Sequence, residues 1–524
     1  MNQETGGLSP YNITVNVEQR NDEREMLFRN KRRKKPMKKL LAVLLTVCLL
    51  STLWTAFAAA EDKPTIVVNT FAQEHEKAMY EEVIRQFEEE NNCIVDFRVS
   101  GDQYWPELEA SLTAGNAPDV FYLGVGDVRK RVWTGAVAAL DDYLDVSTLG
   151  NIWPEALNLY KYDEESNKLG EGKIYGLPKD FSAVSMTVNK AIIRKRDAEI
   201  RQAIADGILP FYPEIDENGN LPVYTFTEFA NLCKICTFED ETLPETAGSK
   251  QVYGTHLWED FCLKPFIWGA GGDYLNEDCT QVLFNTDDFI EGYEGFMKIV
   301  EVGGSGSSTD ETSGYLKFLA GRCAFFPCGT WDVGAFQAIE DDEAVNPGKS
   351  WFDFDVAPWP ISDEYASLSI EERQDKWVGR LDSVGFCISA QSKYPELAAK
   401  FAYAMSADPE VQRFLAKKGG QLPNLMEMAE GEYLTDDSYF PETRVVFVRM
   451  LEGQNGHREV SSMTWNDLWL TEGFNTGLTS VWSYYEKSDL GVTPMDVRTY
   501  CESVQDNAQQ LLNDAIDDME AMKP

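Results

Sequence analysis

The chain of 524 residues is poor in histidine and in basic side chains. Its three histidines, His75, His256 and His457, are scattered without the spacing of a metal site or of a Ser/His/Asp arrangement. Lys and Arg number 47 against 87 Asp and Glu, which gives a formal charge of −40. A field of that sign repels nucleic acid and anionic lipid. We therefore predict no nucleic-acid partner, no metal, no cofactor and no catalytic residues.

Long apolar runs are absent except at the N-terminus. Seven basic residues between Lys31 and Lys39 precede a run that begins at Leu40 and ends in three alanines at 58–60. A basic stretch, an apolar stretch and small residues, in that order, describe an export signal. Met37 begins a complete signal by itself, so we assign 37–60 to a signal peptide and 1–36 to a disordered, basic-ended extension that is not translated if Met37 is the start.

The protein is accordingly expected to be exported, as an extracellular or cell-surface protein. An uncleaved signal anchor is the alternative, because the apolar run is only slightly shorter than the roughly 20 residues that span a bilayer. A lipid anchor is disfavoured because Cys48 lies in the middle of the run. Nine cysteines follow the signal, and the odd number leaves at least one thiol unpaired.

The first 75 residues after the signal alternate between strand and helix patterns, which is typical of a doubly wound α/β fold. Gly115 lies where a helix end favours a left-handed residue, and Pro118 prevents the helix from continuing. Gly124 and Gly126 open a loop at the carboxyl end of the third strand, where open α/β sheets bind ligands. The predicted elements are a strand at 65–69, a helix at 74–91, a strand at 94–99 and a strand at 119–123.

Seven motifs in a fixed order resemble family 1 of the extracellular solute-binding proteins, the sugar-capturing components of ABC importers. Single motifs are weak, but the order is specific. The main motifs are Ala-Gly-x-x-Pro-Asp at 114–119, Gly-Ala-Val-Ala-Ala-Leu-Asp-Asp at 135–142, Tyr-Gly-Leu-Pro at 175–178, Phe-x-x-Gly-Arg at 318–322 with Gly-Thr-Trp at 329–331, Val-Gly-Phe at 384–386 and Gly-Gly-Gln-Leu-Pro at 419–423.

The resemblance implies a two-lobed periplasmic-binding-protein fold of the second type. Each α/β lobe would have a mainly parallel sheet flanked by helices, with hinge crossings near Asp180, near Leu381 and after Phe440. The predicted N-terminal lobe comprises 61–180 and 384–440, and the predicted C-terminal lobe comprises 181–383 and 441–524.

The resemblance also implies a function, namely capture of a carbohydrate by hinge closure and its delivery to the transmembrane subunits of an ABC permease. The composition agrees, because sugar rings stack on the 13 Trp and 22 Tyr while Asp, Asn, Glu and Arg bond their hydroxyls. A monomer that is not an enzyme is expected. Two alternatives stay open: a secreted carbohydrate-active enzyme, and a surface sugar-sensing module with the same fold.

The predicted ligand contacts lie at strand ends and beside the crossings. Trp331, in the family's Gly-x-Trp position, would be a stacking platform, and Asp180 would bond hydroxyls. Trp465 would be a second platform. A structural role is the alternative reading of each. The other candidates are a first-lobe wall of Phe71, His75, Tyr104, Trp105 and Asp127, and a group before the second crossing made of Trp377, Arg380 and Asp382.

Overall fold

The computed structural model describes residues 63–521 apart from 72–73, 167, 258, 307–312, 453–454 and 459–467. The predicted extension, the predicted signal peptide and Trp465 lie outside the described residues. Among the helices that are described, none has the length and apolar character needed to cross a membrane.

Thirteen strands are present in the described part of the chain, and ten of them form one sheet. Their order is β2-β1-β3-β12-β7-β10-β9-β8, with β11 beside β7 and β13 beside β12. The strands are β1 Thr65–Thr70, β2 Ile94–Val99, β3 Val120–Gly124, β4 Lys161–Asp163, β5 Lys168–Leu169, β6 Lys173–Ile174, β7 Leu177–Asn189, β8 Phe238–Glu239, β9 Gln251–Thr255, β10 Cys323–Gly329, β11 Phe354–Ala357, β12 Gly379–Ile388 and β13 Gly456–Arg458.

Helices flank this sheet and connect its strands. The helices are Glu74–Asn91, Tyr104–Ala114, Val128–Trp133, Pro154–Asn158, Lys190–Lys195, Asp197–Ala205, Phe226–Ile235, Glu259–Gly269, Asp287–Glu301, Gly314–Leu319, Val333–Glu340, Pro395–Ala407, Pro409–Gly419, Met426–Glu430, Glu432–Thr435, Val445–Leu451, Leu468–Thr471, Leu478–Glu486 and Val497–Ala521.

The first lobe begins as the alternation of strand and helix predicted. Strand β1 pairs in parallel with both β2 and β3, and the helix Glu74–Asn91 connects β1 to β2. The next helix, Tyr104–Ala114, ends where Gly115 adopts φ 71°, so the predicted left-handed helix end is confirmed. Strands β1 and β2 begin at the predicted residues, and β3 begins in the structure one residue after its predicted start.

Two separate hydrophobic cores lie along the sheet, and strands β7 and β12 contribute to both. Leu177 at the start of β7 and Phe386 near the end of β12 belong to the first core. Val184 and Leu381 belong to the second core. The two strands therefore cross from one packed unit to the other within a single hydrogen-bonded sheet. The lobe boundaries given by residue number stay a prediction.

All nine cysteines after the predicted signal are buried and unbridged. Cys233 and Cys236 belong to the second core, at the helix Phe226–Ile235. Burial raises the pKa of both thiols, to about 12 for Cys236. This pair is therefore part of the hydrophobic packing.

Candidate functional site

The crossing between the cores is a two-stranded ribbon at which strands from both lobes end. Strand β3 ends at Gly124, which pairs with Val384 of β12. Strand β10 ends at Gly329, which pairs with Val184 of β7. Val384 pairs with Asp180, so the two strand ends lie four residues apart along β7, roughly 13 Å. The carboxyl ends of strands from both lobes therefore meet over this short ribbon.

One face of the ribbon carries polar side chains. Residues that pair across two strands point to the same face of a sheet, and every second residue shares that face. Arg380 pairs with Val184 and Asp382 pairs with Ser182, so these four side chains and that of Asp180 lie on one face. The opposite face is packed, and there Tyr160 donates to Ser383 Oγ at 2.9 Å. We call the first face the floor.

Two of the predicted contacts form an ion pair on the floor. Arg380 Nη2 donates to Asp382 Oδ2 at 2.9 Å, and Asp382 Oδ1 accepts the Ser383 backbone N–H at 2.8 Å. The side chain of Asp382 is 34% exposed, whereas that of Arg380 is 10% exposed. The carboxylate is thus held by the protein and still reaches solvent, which is the condition for accepting a hydroxyl hydrogen bond from a ligand.

Asp180 is buried in a charge network at the N-lobe end of the ribbon. Lys179 Nζ donates to Asp180 Oδ2 at 2.9 Å and to Glu76 Oε1 at 2.6 Å. Ser182 Oγ donates to Asp180 Oδ1 at 2.5 Å. Burial lowers the pKa of Lys179, but the negative charges of Asp180 and Glu76 outweigh it and raise that pKa well above its ordinary value. Asp180 therefore ties the crossing together, and its carboxylate is not accessible to a ligand in this structure.

The same network reaches two other elements of the first lobe. Gln421 Nε2 donates to Glu76 Oε1 and to the hydroxyl of Tyr80, both at 3.1 Å. Tyr80 lies in the helix Glu74–Asn91, and burial raises the pKa of its hydroxyl. Strand β7, this helix and the turn around Gln421 are therefore joined by buried polar contacts.

Trp331 lies directly after β10, in a turn at 330–332. A side chain at Gly329 would point into the Trp331 ring, because a Cβ placed there would lie 2.0 Å from Cζ3. Gly329 pairs with Val184, so the ring occupies the floor side of the sheet, two strand spacings from Arg380 with β7 between them. The ring packs against the second core and is partly exposed. The predicted platform therefore lies on the same face of the sheet as the ion pair.

The first-lobe wall contains an aromatic cluster beyond β1. The ring of Phe71 contacts those of Tyr104, Tyr122 and Trp105, with centroid distances of 5.1, 5.3 and 5.7 Å. Trp105 is 43% exposed. Tyr104 is fully buried, and its hydroxyl donates to the Tyr122 carbonyl at 2.7 Å. Phe71 and Trp105 keep accessible ring surface, whereas Tyr104 supports them from beneath.

Asp127 follows β3 in a turn and stays partly exposed. Burial raises the pKa of its carboxyl, against the opposing effect of the positive charges of Arg131 and Lys130. Arg131 Nη2 lies 3.9 Å from Asp127 Oδ1. Asp127 therefore lies just beyond the end of β3, as a carboxylate whose ionisation is made less favourable by its surroundings.

Trp377, another predicted contact, is not on this surface. Trp377 is fully buried in the second core, and its carbonyl accepts the Asn455 side-chain amide at 2.8 Å. The structure describes no side chain for His75, and Trp465 lies outside the described residues. Trp377 was predicted as a contact because it lies close to a crossing in the sequence. The chain turns inward before β12 begins, and the side chain is buried.

Three residues near the floor were given no role by the sequence. Trp268 and His457 stack with ring centroids 4.4 Å apart and planes at 14°, and Asp273 contacts both rings. In the sequence His457 is an isolated histidine without a partner at metal-site or triad spacing. The position of His457 after the third predicted crossing indicates a place near the site. Its partners Trp268 and Asp273 lie nearly 200 positions earlier, so the sequence does not reveal the contacts. In the residues that the structure describes, no cluster of His, Cys, Asp and Glu has the arrangement of a metal site.

Comparison with known proteins identifies the family. A model of the family described as bacterial extracellular solute-binding protein matches residues 82–442, well over half of the chain. The chain belongs to the bacterial extracellular solute-binding proteins. No curated protein sequence matches it.

Solved structures of solute-binding proteins share its fold. The ABC substrate-binding protein Lmo0181 from Listeria monocytogenes is 19% identical, with a TM-score of 0.62 over 86% of this chain and 100% of that one. The GacH receptor of Streptomyces glaucescens is 19% identical, with a TM-score of 0.61 over 87% and 100%. UgpB from Mycobacterium tuberculosis is 17% identical, with a TM-score of 0.60 over the same shares. The predicted two-lobed α/β fold is therefore confirmed.

Proposed function

We propose that this solute-binding protein is the exported substrate-binding component of a carbohydrate ABC importer. It captures a neutral sugar or oligosaccharide between its lobes and delivers it, as a monomer, to the transmembrane subunits of a permease. The observation that carries the proposal is the partly exposed Trp331 ring on the same face as the Arg380–Asp382 ion pair. An indole face stacks on the C–H face of a pyranose, and an ion pair offers both donors and acceptors to its hydroxyls.

The chemistry of the floor selects among the ligands found in proteins of this fold. Lmo0181 was solved with cycloalternan, GacH with acarbose and UgpB with glycerophosphocholine. The fold alone therefore does not choose between a sugar and a phosphodiester. Here the cation of Arg380 is already neutralised by Asp382, and Asp127 in the turn after β3 is a further acid at the end of a neighbouring strand. Among the floor residues that the structure describes, Arg380 has Asp382 as its acidic partner and His457 has Asp273, so a neutral polyol is favoured over an anionic ligand.

Hinge closure provides the transport signal. A ligand that contacts the floor and side chains of both lobes stabilises the closed arrangement over the open one, and the permease can distinguish the two. The hinge ribbon is suited to this motion because each half of β7 and β12 is anchored in a different core. Membership of an extracellular family supports the predicted export, and no step of this mechanism requires catalysis.

The test is a thermal-shift screen of the purified exported protein, followed by calorimetry with every compound that shifts the melting temperature. The panel contains glucose-, mannose- and xylose-based oligosaccharides together with glycerophosphocholine. We expect only sugars to shift the transition, and Trp331→Ala to abolish the shift. Tyr484→Ala, which removes an exposed ring from the helix Leu478–Glu486, is the control and should leave it unchanged.

Two outcomes would contradict the proposal. Unchanged sugar affinity in Trp331→Ala would remove the indole from the site. A shift produced by glycerophosphocholine alone would replace the carbohydrate with a phosphodiester. Chromatography of the incubated oligosaccharides would in addition reveal turnover, which would favour the carbohydrate-active enzyme.

A further inference from the structure

A second pair of rings lies at the opposite edge of the floor from Trp331. His457 of β13 pairs with Arg380 of β12, so its side chain shares the face of Arg380. The imidazole stacks on Trp268, with centroids 4.4 Å apart and planes 14° from parallel. Trp268 is 5% exposed, whereas the His457 side chain is 36% exposed. The buried indole thus supports an imidazole that keeps accessible surface.

Asp273 fixes both rings. Trp268 Nε1 donates to Asp273 Oδ1 at 3.1 Å, and His457 Nε2 lies 3.2 Å from Asp273 Oδ2. The Tyr274 backbone N–H also donates to Asp273 Oδ1, at 2.7 Å. One carboxylate therefore sets the orientation of the indole and the imidazole together, which makes Asp273 a positioning residue for this pair.

The two ring surfaces lie at the two ends of one row of paired residues in the sheet. His457, Arg380, Val184 and Gly329 are neighbours on the consecutive strands β13, β12, β7 and β10, and the Trp331 ring covers Gly329. Three strand spacings separate the ends of this row, roughly 14 Å. Asp382, with a third of its side chain exposed, lies between them. A single pyranose ring cannot contact both ends, whereas a chain of linked rings can.

We propose that Trp268, His457 and Asp273 form a second sugar subsite, so that the ligand is an oligosaccharide with one ring on Trp331 and a later ring on His457. This inference rests on the proposed carbohydrate function and adds the length of the ligand to it. The exposed imidazole face takes the place of the indole at the second position, and Asp382 bonds the hydroxyls between the two rings.

Calorimetry with sugars of increasing length tests the subsite. Glucose, maltose and maltotriose, and the matching mannose series, are titrated into the wild type and its variants. We expect affinity to rise with length in the series that binds. His457→Ala should lower the affinity for the trisaccharide about tenfold and leave that for the monosaccharide within about twofold. A general loss of structure would lower both affinities together.

Two further variants separate the ring from its hydrogen bond. His457→Phe keeps a flat ring on Trp268 without the nitrogen that meets Asp273, and it should retain the trisaccharide affinity within about threefold. His457→Gln keeps a polar group without the ring, and it should behave like His457→Ala. Asp273→Asn should cause a smaller, length-dependent loss. Circular dichroism and the melting temperature confirm that each variant folds.

The outcomes distinguish this inference from the function on which it rests. If sugars bind and depend on Trp331, but His457→Ala leaves the trisaccharide unchanged, the second subsite is wrong and the function stands. The subsite is equally wrong if mono- and trisaccharides bind with equal affinity, or if His457→Gln binds like the wild type and His457→Phe does not. If no sugar binds, the proposed function fails and this inference fails with it.

Discussion

The two ends of the hinge ribbon are built from different chemistry. At the N-lobe end, Lys179, Glu76 and Asp180 form a charge network with side-chain exposures of 6% or less. At the C-lobe end, the ion pair of Arg380 and Asp382 lies between partly exposed rings, and Asp382 is 34% exposed. Both ends carry ionised groups, but only the second leaves them in contact with solvent.

This difference in exposure indicates that the N-lobe end of the ribbon is a scaffold and that the C-lobe end is a surface for binding. A buried ion pair loses its hydration, and the attraction between the fixed partners compensates for that loss. Removal of one partner leaves the other as an uncompensated buried charge. A partly exposed ion pair can replace its hydrogen bonds to water with hydrogen bonds to a ligand at a small cost in free energy. We therefore expect substitutions at the N-lobe end to change stability, and substitutions at the C-lobe end to change affinity.

The largest expected effect follows from Lys179→Met. Glu76 and Asp180 would then stay buried without their cation, which should lower the free energy of unfolding by about 3–5 kcal/mol. Urea denaturation measures it. Lys168→Met is the control, because Lys168 and its partner Glu171 are both 61% exposed, and it should change stability by less than about 1 kcal/mol. Similar values for both variants would contradict the comparison.

A glycine pair tests the C-lobe end with a smaller expected effect. Gly329→Ala places a Cβ inside the Trp331 ring and must displace it, so sugar affinity should fall about tenfold, with a stability cost of about 1–3 kcal/mol. Gly124→Ala is the matched control at the end of β3, because a Cβ there has nothing within 4 Å. Calorimetry should show near wild-type affinity for Gly124→Ala. Equal losses in both variants would mean that the strand ends, rather than the ring, control binding.

The smallest expected effect concerns Asp127. Burial raises the pKa of its carboxyl, so the folded protein binds this proton more tightly than the unfolded chain does. The ionised carboxylate therefore destabilises the fold, and this contribution grows as the pH rises from the ordinary value near 3.9 through the raised pKa. Asp127→Asn should weaken that part of the pH dependence and shift the melting temperature at pH 7 by about 2 °C or less. Melting curves from pH 4 to pH 8 measure it, and an unchanged pH profile would contradict the assignment.

The sequence predicted the position of strand ends better than the direction of side chains. Trp331 was expected at the end of a strand in the second lobe, and the structure places it there on the floor. Tyr104 and Trp105 were expected together, yet one is fully buried and the other is 43% exposed. Neighbouring helix residues point in directions about 100° apart, so only the packing against Phe71 and Tyr122 decides which ring faces solvent.

The polar networks could not be predicted, because their partners are far apart in the chain. Lys179 and Glu76 are separated by 103 positions, and the rings of Trp268 and His457 by nearly twice as many. Neither pair has a spacing that local patterns reveal. For Trp377 the local sequence was misleading. Its place just before β12 predicted a ligand contact, whereas the turn into β12 buries the side chain in the second core.

By itself, the sequence determined the alternation of strands and helices, the glycine at the end of the helix Tyr104–Ala114 and the order of motifs that marks the family. These depend on local backbone preferences and on residues close together in the chain. The tertiary structure decided which charges are buried, which rings keep exposed surface and which residues share the floor. Those properties depend on the register between β7, β10, β12 and β13, and register is set by the packing of the two cores around the crossing.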